Sequence, residues 1–427
     1  MNGAPQLAGA DEHDVRRRVA PLLVVATRAG LAGFGGGLSV LAMLRTSLVQ
    51  RRAWLSDREF DDTATVAQML PGGAAANALA LCGLRFHGPI AAALAYTAFI
   101  LPGFVATLAL AVAYARSGSA VQAGALLGGL SAGVVGIVGS LTVHMVRTTV
   151  RRPWQMVVAG AALVLSVDGG ASPGEVALYG IAAGLVVDLG MKRARLARAR
   201  RRGVTATSPP VFLPDEGEPL QGSSVPRVEE VNGPSTLRAV VAPIFGLLVL
   251  GALGGSLASL ALLFLRTGLG AYGGGFAIVP HLQATLVGGG ALTQKQFSDA
   301  VAIGKVTPGP VLLLATFIGY ERHGLSGAIV STLAIFAAPL ALTIGIGTWL
   351  ERNRTRRVIR AALRGLTPAV VGTTGAAAVT LGSTLGGAVE LGIAAAAGLT
   401  LVRFRVNPVI VLAIAGVARV LLAWKAG

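Results

Sequence analysis

The sequence has 427 residues, of which 53% are hydrophobic and only 13% are charged, and its formal net charge is +17. Soluble domains carry roughly 25% charged residues, whereas several stretches here hold about 20 residues without an acid or a base, enough to cross hydrocarbon. This composition excludes an ordinary soluble domain and predicts an all-α polytopic membrane protein.

The positive charge lies in short basic runs between apolar segments, as in the cytoplasmic loops of membrane proteins. Aromatic residues make up 5% of the chain and do not interleave with the bases, so we expect no nucleic-acid partner. A single cysteine, Cys82, excludes an intrachain disulfide and a thiolate metal cluster. Enzyme and nucleotide-binding motifs are absent from the sequence, so we predict no enzyme, no metal and no cofactor.

In chain order, residues 1–18 form a polar tail, predicted to be cytoplasmic and retained rather than cleaved as a signal. Residues 19–191 form an N-terminal half, with apolar segments at 19–44, 63–84, 89–115, 120–146, 154–168 and 174–191. Residues 192–237 are basic and then rich in Pro, Gly, Ser and acids, which predicts a flexible cytoplasmic linker. Residues 238–427 form a C-terminal half, with apolar segments at 239–258, 259–287, 299–320, 325–350, 361–382, 388–402 and 407–424.

The two halves repeat each other. Phe34-Gly35-Gly36-Gly37 recurs as Tyr272-Gly273-Gly274-Gly275, and Leu70-Pro71-Gly72-Gly73 recurs as Thr307-Pro308-Gly309-Pro310, at offsets of 238 and 237. A fixed offset indicates duplication. Segments interrupted by Gly and Pro at matching places in two halves are typical of secondary transporters.

Loop charges predict that the halves face opposite ways. The loop at 45–58 holds four arginines, while its counterpart at 281–298 holds only Lys295. The loops after the third and fourth segments reverse in the same manner, and residues 238–272 leave room for about one extra crossing. We therefore predict an inverted repeat. The same charges indicate that the Gly-triplet and Pro-Gly segments do not cross fully; the alternative is that these two segments are ordinary spans and that the charges are uninformative.

The Gly-triplet and Pro-Gly segments are predicted to be broken or re-entrant helices that meet at mid-depth. Proline blocks helical hydrogen bonding and glycine permits positive φ, and a break inside a bilayer must line a polar cavity. Free amides at the resulting helix ends favour an anion, although close packing through glycine is an alternative. The predicted substrate-binding residues are Gly35, Gly36, Gly37, Gln68, Pro71, Gly72, Asn77, Gly273, Gly274, Gly275, Lys305, Thr307, Pro308, Gly309 and Pro310.

Charged residues near these breaks have candidate roles. A buried Lys305 would cost about 2.5–3.5 kcal/mol without a partner or a wet cavity. We expect it to contact an oxyanion, with Gln68 as its neutral counterpart; snorkelling, or pairing with Asp299, is the alternative. Asp62 and Asp299 are expected to cap helices or to relay a proton. Candidates for guiding an anion or anchoring at the interface are Arg28, Arg85, Arg266 and Arg322.

With these motifs in hand, the chain resembles the chromate ion transporter (CHR) family in its long two-domain form. The resemblance rests on the glycine runs, on the Pro-Gly motifs, and on Thr316-Phe317-Ile318-Gly319-Tyr320 with Gly324. It implies chromate efflux across the bacterial inner membrane, chromate resistance, and sulfate as a competitor. Two departures are Gly73, where the family pattern has a second proline, and Lys305, where it has glutamine.

Alternatives remain open from the sequence. A sulfate or molybdate transporter, including an importer, would use the same architecture, and a membrane scaffold or sensor would dock through the linker at 203–234. The expected partners are a small oxyanion and the lipid bilayer, and a homodimer is left open.

Overall fold

A computed structural model describes residues 19–33, 37–117, 121–168, 171–201, 255–404 and 406–426. Within these ranges the regular elements are helices and no strand occurs, which confirms an all-α protein. Large apolar side chains face outward, including Ile90 and Val157, which are 75% and 71% exposed, as expected for contact with lipid. The predicted tail, Gly35 and Gly36, and residues 202–254, which include most of the linker, lie outside the described residues.

The first half contains seven helices within those ranges: α1 (Val19–Leu31), α2 (Gly37–Arg45), α3 (Asp57–Met69), α4 (Ala74–Ser117), α5 (Val121–Thr149), α6 (Pro153–Val167) and α7 (Pro173–Arg201). A π-helical turn, Thr46–Arg51, follows α2. Helix α7 continues ten residues past the predicted half boundary at 191, because its Lys, Arg, Ala and Leu residues all favour helix. The first part of the predicted linker is therefore helical.

The described part of the second half repeats this order: α8 (Ser256–Leu269), a 3-10 segment (Gly273–Ile278), α9 (Val279–Leu286), α10 (Gln294–Val306), a 3-10 turn (Val311–Leu313), α11 (Leu314–Asn353), α12 (Arg357–Gly382), α13 (Ala388–Arg403) and α14 (Pro408–Ala426). Both ends of α10 are displaced by 237 residues from those of α3. This correspondence agrees with the duplication seen in the sequence.

Helix α3 and the beginning of α4 form an antiparallel hairpin. Arg85 pairs with Glu59 at its base, and the Asn77 side chain donates to the Ala67 carbonyl near its tip. The chain folds back again at Gly88, whose φ is 82°. Helix α4 is therefore two helices, α4a (residues 74–87) and α4b (residues 89–117).

Close contacts across Gly88 support this division. A methyl group added to Gly83 would lie 2.7 Å from the Ala91 carbonyl oxygen, although residues eight apart on a straight helix are about 12 Å apart. We call α3 and α4a, with their tip at 70–73, the first hairpin.

The second half builds the same arrangement. Gln296 donates to Glu321 at the base of a hairpin whose tip is 307–310. The chain turns back at Gly324, with φ of 61°, and the hydroxyls of Thr316 and Thr332 lie 2.7 Å apart. Helix α11 therefore divides into α11a (residues 314–322) and α11b (residues 325–353). We call α10 and α11a the second hairpin.

These turns confirm that segments 63–84 and 299–320 are broken and are not single continuous helices. Within the described ranges, four stretches are long and apolar enough to span a bilayer: Ala74–Arg116, Gly124–Thr149, Pro173–Ala194 and Val311–Asn353. In the first and last of these, the spanning parts are α4b and α11b.

Helices α4b and α11b run in opposite directions between the bases of the two hairpins. Helix α4b starts beside the first hairpin, and near its far end Tyr114 donates to Asp299 at the base of the second, at 2.8 Å. Helix α11b starts beside the second hairpin, and past its far end Arg354 pairs with Asp62 in the first. The two hairpin bases are thus separated by the length of a spanning helix, about 40 Å.

Among the remaining helices, α5 of the first half and α12 of the second half each pack against helices of the opposite half. Helix α5 packs against α13 and α14, whereas its counterpart α12 packs against α6 and α7, and α5 and α12 also contact each other. Glycines permit the close approach: a methyl group on Gly365 of α12 would collide with the carbonyl oxygen of Gly180 in α7. The halves are therefore interlocked rather than merely adjacent.

Candidate functional site

The tip of the first hairpin is an extended turn between two short helices. Leu70 ends α3 with extended backbone angles, and Gly72 adopts a φ of 101°, which glycine alone tolerates without strain. The Gly72 N–H donates to the carbonyl of Ala271, just past α8 of the other half, at 2.9 Å. The sequence Pro71-Gly72 thus both breaks the helix and docks the tip onto the second half.

The tip of the second hairpin repeats this contact in reverse. Thr307 ends α10 with extended angles, and Gly309 has a φ of 109°. The Gly309 N–H donates to the carbonyl of Gly33, just past α1, at 3.4 Å. Each Pro-Gly motif therefore contacts the glycine-rich break of the opposite half.

The two tips also touch each other. A methyl group added to Gly73 would lie 3.4 Å from Pro310 Cγ. Gly73 and Pro310 are equivalent positions in the two repeats, so the tips meet at matching residues. The Pro-Gly tips of the two halves thus meet at one place.

The long helices α4b and α11b close the same region. A methyl group on Gly72 would lie 2.7 Å from Pro339 Cβ in α11b. In the other direction, Gly103 of α4b lies against the Pro308 carbonyl. The tips are therefore surrounded by α4b and α11b and by each other.

Asn77 engages carbonyl groups that the helix break sets free, whereas Thr307 adds a second donor to a carbonyl already bonded within α10. The Asn77 side-chain amide donates to the carbonyls of Ala67, Leu70 and Pro71, at 3.1, 3.4 and 3.0 Å. In the second hairpin, the Thr307 hydroxyl donates to the Ile303 carbonyl at 3.0 Å.

This hydrogen-bonding pattern determines whether the tips carry a partial positive or a partial negative charge. A broken helix exposes carbonyls at one end and amides at the other. At the first tip the Asn77 amide occupies the freed carbonyls, so the amide end of α4a, with its partial positive charge, dominates there. At the second tip α11a presents the corresponding amide end. Asn77 and Thr307 were expected to face a substrate. Their side-chain polar groups instead form hydrogen bonds that shape the turns.

Two threonines of the long helices continue these networks across the halves. Thr107 of α4b donates to the Thr307 hydroxyl at 3.1 Å, and Thr343 of α11b donates to Asn77 Oδ1 at 3.3 Å. Sequence reasoning did not identify Thr107 or Thr343. The sequence could have identified them, because both are polar residues at nearly equivalent places in apolar segments.

Lys305 and Gln68 occupy equivalent positions but different surroundings. Lys305 is partly buried in the last turn of α10, and its ammonium lies 5.6 Å from the ring centroid of Phe276, within cation–π range. Gln68 is exposed and donates to the Ala64 carbonyl of its own helix. Lys295, not Lys305, pairs with Asp299.

The glycine triplet of the second half forms a left-handed run, with φ of 65°, 82° and 92° at Gly273, Gly274 and Gly275. Val370 lies against the first glycine and Leu312 against the third, whereas the middle one faces open space. In the first half, α2 begins at Gly37.

The four arginines considered for guiding an anion do not lie at the tips. Arg85 and Arg322 hold the hairpin bases, through Glu59 and through the Ala291 carbonyl at 2.7 Å. Arg28 and Arg266 are exposed on α1 and α8.

The expectation that Asp62 and Asp299 cap helices is wrong. Both lie in the second turn, and the capping residues are Ser56 and Thr293. Instead, Asp62 pairs with Arg354, and the buried Asp299 accepts hydrogen bonds from Tyr114 and from Lys295 at 3.0 Å.

Comparison with known proteins gives a consistent assignment. A sequence model of the protein family described as "Chromate transporter" matches residues 20–187 and 240–420. The chain is 28% identical to a probable chromate transport protein of Synechococcus elongatus, over 83% of this chain and 82% of that protein. It is 26% identical to a chromate transport protein of Cupriavidus metallidurans, over 84% and 82% of the two chains. No solved structure matches the chain significantly.

Proposed function

The chain belongs to the chromate transporter family, and we propose that it is a secondary transporter that carries chromate out of the cell across the inner membrane and so confers chromate resistance. It is a multi-pass membrane protein with spanning helices. The curated relatives named above are chromate transport proteins by description, which supports transport rather than catalysis as its activity.

The observation that carries the proposal is the meeting of two broken helices, one from each half. Gly73 and Pro310 place the tips in contact, and side chains occupy carbonyls of the preceding helices. Helix N-termini that converge inside a membrane bind an anionic group through their amides. Chromate is a compact tetrahedral dianion, which suits such a site.

We further propose that the halves form an inverted repeat. The antiparallel course of α4b and α11b, from the base of one hairpin to the base of the other, supports opposite orientations. So does the reversal of loop charge predicted from the sequence. Alternating access would then consist of rocking one hairpin and its long helix against the other about the contact between the tips.

Positive charge at the tip favours an oxyanion over a neutral solute. Lys305 is the basic residue of the second hairpin closest in sequence to the tip, three residues before Pro308. The basic loop at 45–58 supports a cytoplasmic location for the base of the first hairpin, the N-terminus and the linker.

The test is chromate transport by the purified protein in proteoliposomes. Lys305→Ala is expected to lower the initial rate at limiting chromate about tenfold or more, because a charge-assisted contact is lost. Excess sulfate or molybdate in the same assay measures selectivity among tetrahedral oxyanions.

The matched control is Lys192→Ala, which removes a lysine from the exposed end of α7. It is expected to transport as the wild type does. Wild-type vesicles that fail to move chromate under either orientation of a pH gradient would refute the proposed function.

A further inference from the structure

A second basic site lies away from the hairpin tips. A cavity of about 300 Å³ opens between α1, α2 and the π-helical turn. The residues that line it include Thr46, Ser47 and three exposed arginines, Arg28, Arg51 and Arg52. The Thr46 hydroxyl donates to the Ala42 carbonyl at 3.3 Å. Three cations and the Ser47 hydroxyl around one small volume match the needs of a tetrahedral oxyanion.

Among the described residues, no acid pairs with the arginines of this cavity. Arg45, outside the cavity, pairs with Asp57 at 2.8 Å and also with Asp61. By contrast, Arg28 and Arg51 form no ion pair within the part of the chain that the structure describes. Arg52 stacks over the Trp54 ring at 4.9 Å, which orients it without neutralising it.

The backbone here is unusual in a way that favours function. The turn Thr46–Arg51 is π-helical, and such turns are rare and occur frequently at functional sites. Two residues later, Ala53 has a φ of 49°, the one positive value outside glycine among the described residues. This strained geometry turns the chain directly after the two arginines.

The second half lacks an equivalent site. The residues equivalent to the turn, 283–289, are Gln-Ala-Thr-Leu-Val-Gly-Gly and carry no charge. The cavity is therefore a feature of the first half and not a by-product of the duplicated fold.

The cavity is close to the tips along the chain. Arg28 lies five residues before Gly33, whose carbonyl accepts from Gly309 in the second tip. Five helical residues span about 8 Å. An anion held by Arg28 would thus be one to two helical turns from the tip region.

We propose that this cavity binds a tetrahedral oxyanion and acts as a loading site for the transported ion, at one face of the protein. The inference rests on the proposed function for the identity of the ion. The shared chemistry is a tetrahedral oxyanion group, which a free dianion or the phosphate of an anionic lipid could supply.

The probe is sodium sulfate, titrated by calorimetry into the full-length protein in phosphatidylcholine nanodiscs. All samples carry Lys305→Ala, so that binding at the tips is weakened and is the same in every variant. In this background, adding Arg28→Gln and Arg51→Gln is expected to weaken sulfate binding about tenfold or more, because two charged donors are lost. Arg28→Lys, which keeps the charge, and Arg147→Gln, on the exposed end of α5, should bind sulfate with unchanged affinity.

A second arm identifies the source of the anionic group. If phosphatidylglycerol in the nanodisc displaces sulfate from the cavity, a lipid phosphate is the occupant and the loading role is overturned. Undisturbed sulfate binding supports a free dianion. In transport assays with Lys305 intact, Arg28→Gln with Arg51→Gln should raise the KM for chromate and leave kcat nearly unchanged.

The two proposals fail in different ways. Equal sulfate affinity with and without the arginines would overturn the cavity site even if chromate transport is observed. Loss of all transport by the wild type would overturn the proposed function, while calorimetry would still report on the cavity.

Discussion

The first and second hairpins share a backbone plan but place their charges differently. The first hairpin is charged at its base, where Glu59 meets Arg85 and Asp62 meets Arg354. The second hairpin carries a lysine near its tip, and its base buries Asp299 beneath the Tyr114 hydroxyl. Duplication has kept the helix breaks and the turns, while the side chains have diverged. The comparison shows that the two halves share the backbone of the site and differ in where their charged side chains lie.

The largest expected effect comes from the backbone that the hairpins share. Gly72→Val places a branched side chain at a φ of 101° and against Pro339, and strain of this kind costs about 1–3 kcal/mol before any clash is counted. We expect loss of transport and a markedly lower thermal unfolding temperature in detergent.

Its matched control is the neighbouring Gly73→Ala. An added methyl group there would meet Pro310 at 3.4 Å, an ordinary contact. This variant should fold and transport. If Gly72→Val behaves like Gly73→Ala, then the left-handed turn is not essential to the tip.

An intermediate effect is expected from exchanging the residues that distinguish the tips. Lys305→Gln makes the second tip resemble the first, and we expect the KM for chromate to rise about tenfold because one cation is lost. Adding Gln68→Lys should recover part of the affinity, provided that the first tip also faces the ion. Transport kinetics in proteoliposomes measure both, and no recovery would mean that the two tips contribute unequally.

The smallest effects are expected at the hairpin bases. Tyr114→Phe removes a donor from the buried Asp299, which should lower stability by about 1–2 kcal/mol. Arg354→Gln removes the partner of a partly exposed Asp62, and we expect a loss of less than about 1 kcal/mol that shrinks further in high salt. Denaturation in low and high salt measures both variants. A larger and salt-insensitive loss for Arg354→Gln would reverse this ranking.

Local chemistry could be predicted from the sequence wherever one residue type dictates the backbone. Pro71 and Pro308, each followed by glycine, correctly indicated where the helices break. The positions of Asp62 and Asp299 were misread, because Ser56 and Thr293 provide the caps several residues earlier.

Contacts between the halves could not be predicted in this way. Thr107 and Thr307 are 200 residues apart, and their hydrogen bond depends on the packing of whole helices. The exchange of partners by α5 and α12 is likewise invisible to hydropathy, which reports that a helix is apolar but not which helix covers it. The roles of the predicted substrate-binding residues stay predictions until transport is measured.

The exchanged helices also have a consequence for biogenesis. Helices α6 and α7 emerge from the ribosome well before α12, the helix that packs against both. A total of 156 positions separate Arg201 at the end of α7 from Arg357 at the start of α12, and at about 5–20 residues per second that interval lasts on the order of ten seconds. During this interval the surface of small residues around Gly180 of α7 faces lipid, because its partner α12 has not yet been synthesised. Nascent chains halted in that window should therefore depend most strongly on insertion factors and be the most sensitive to membrane proteases.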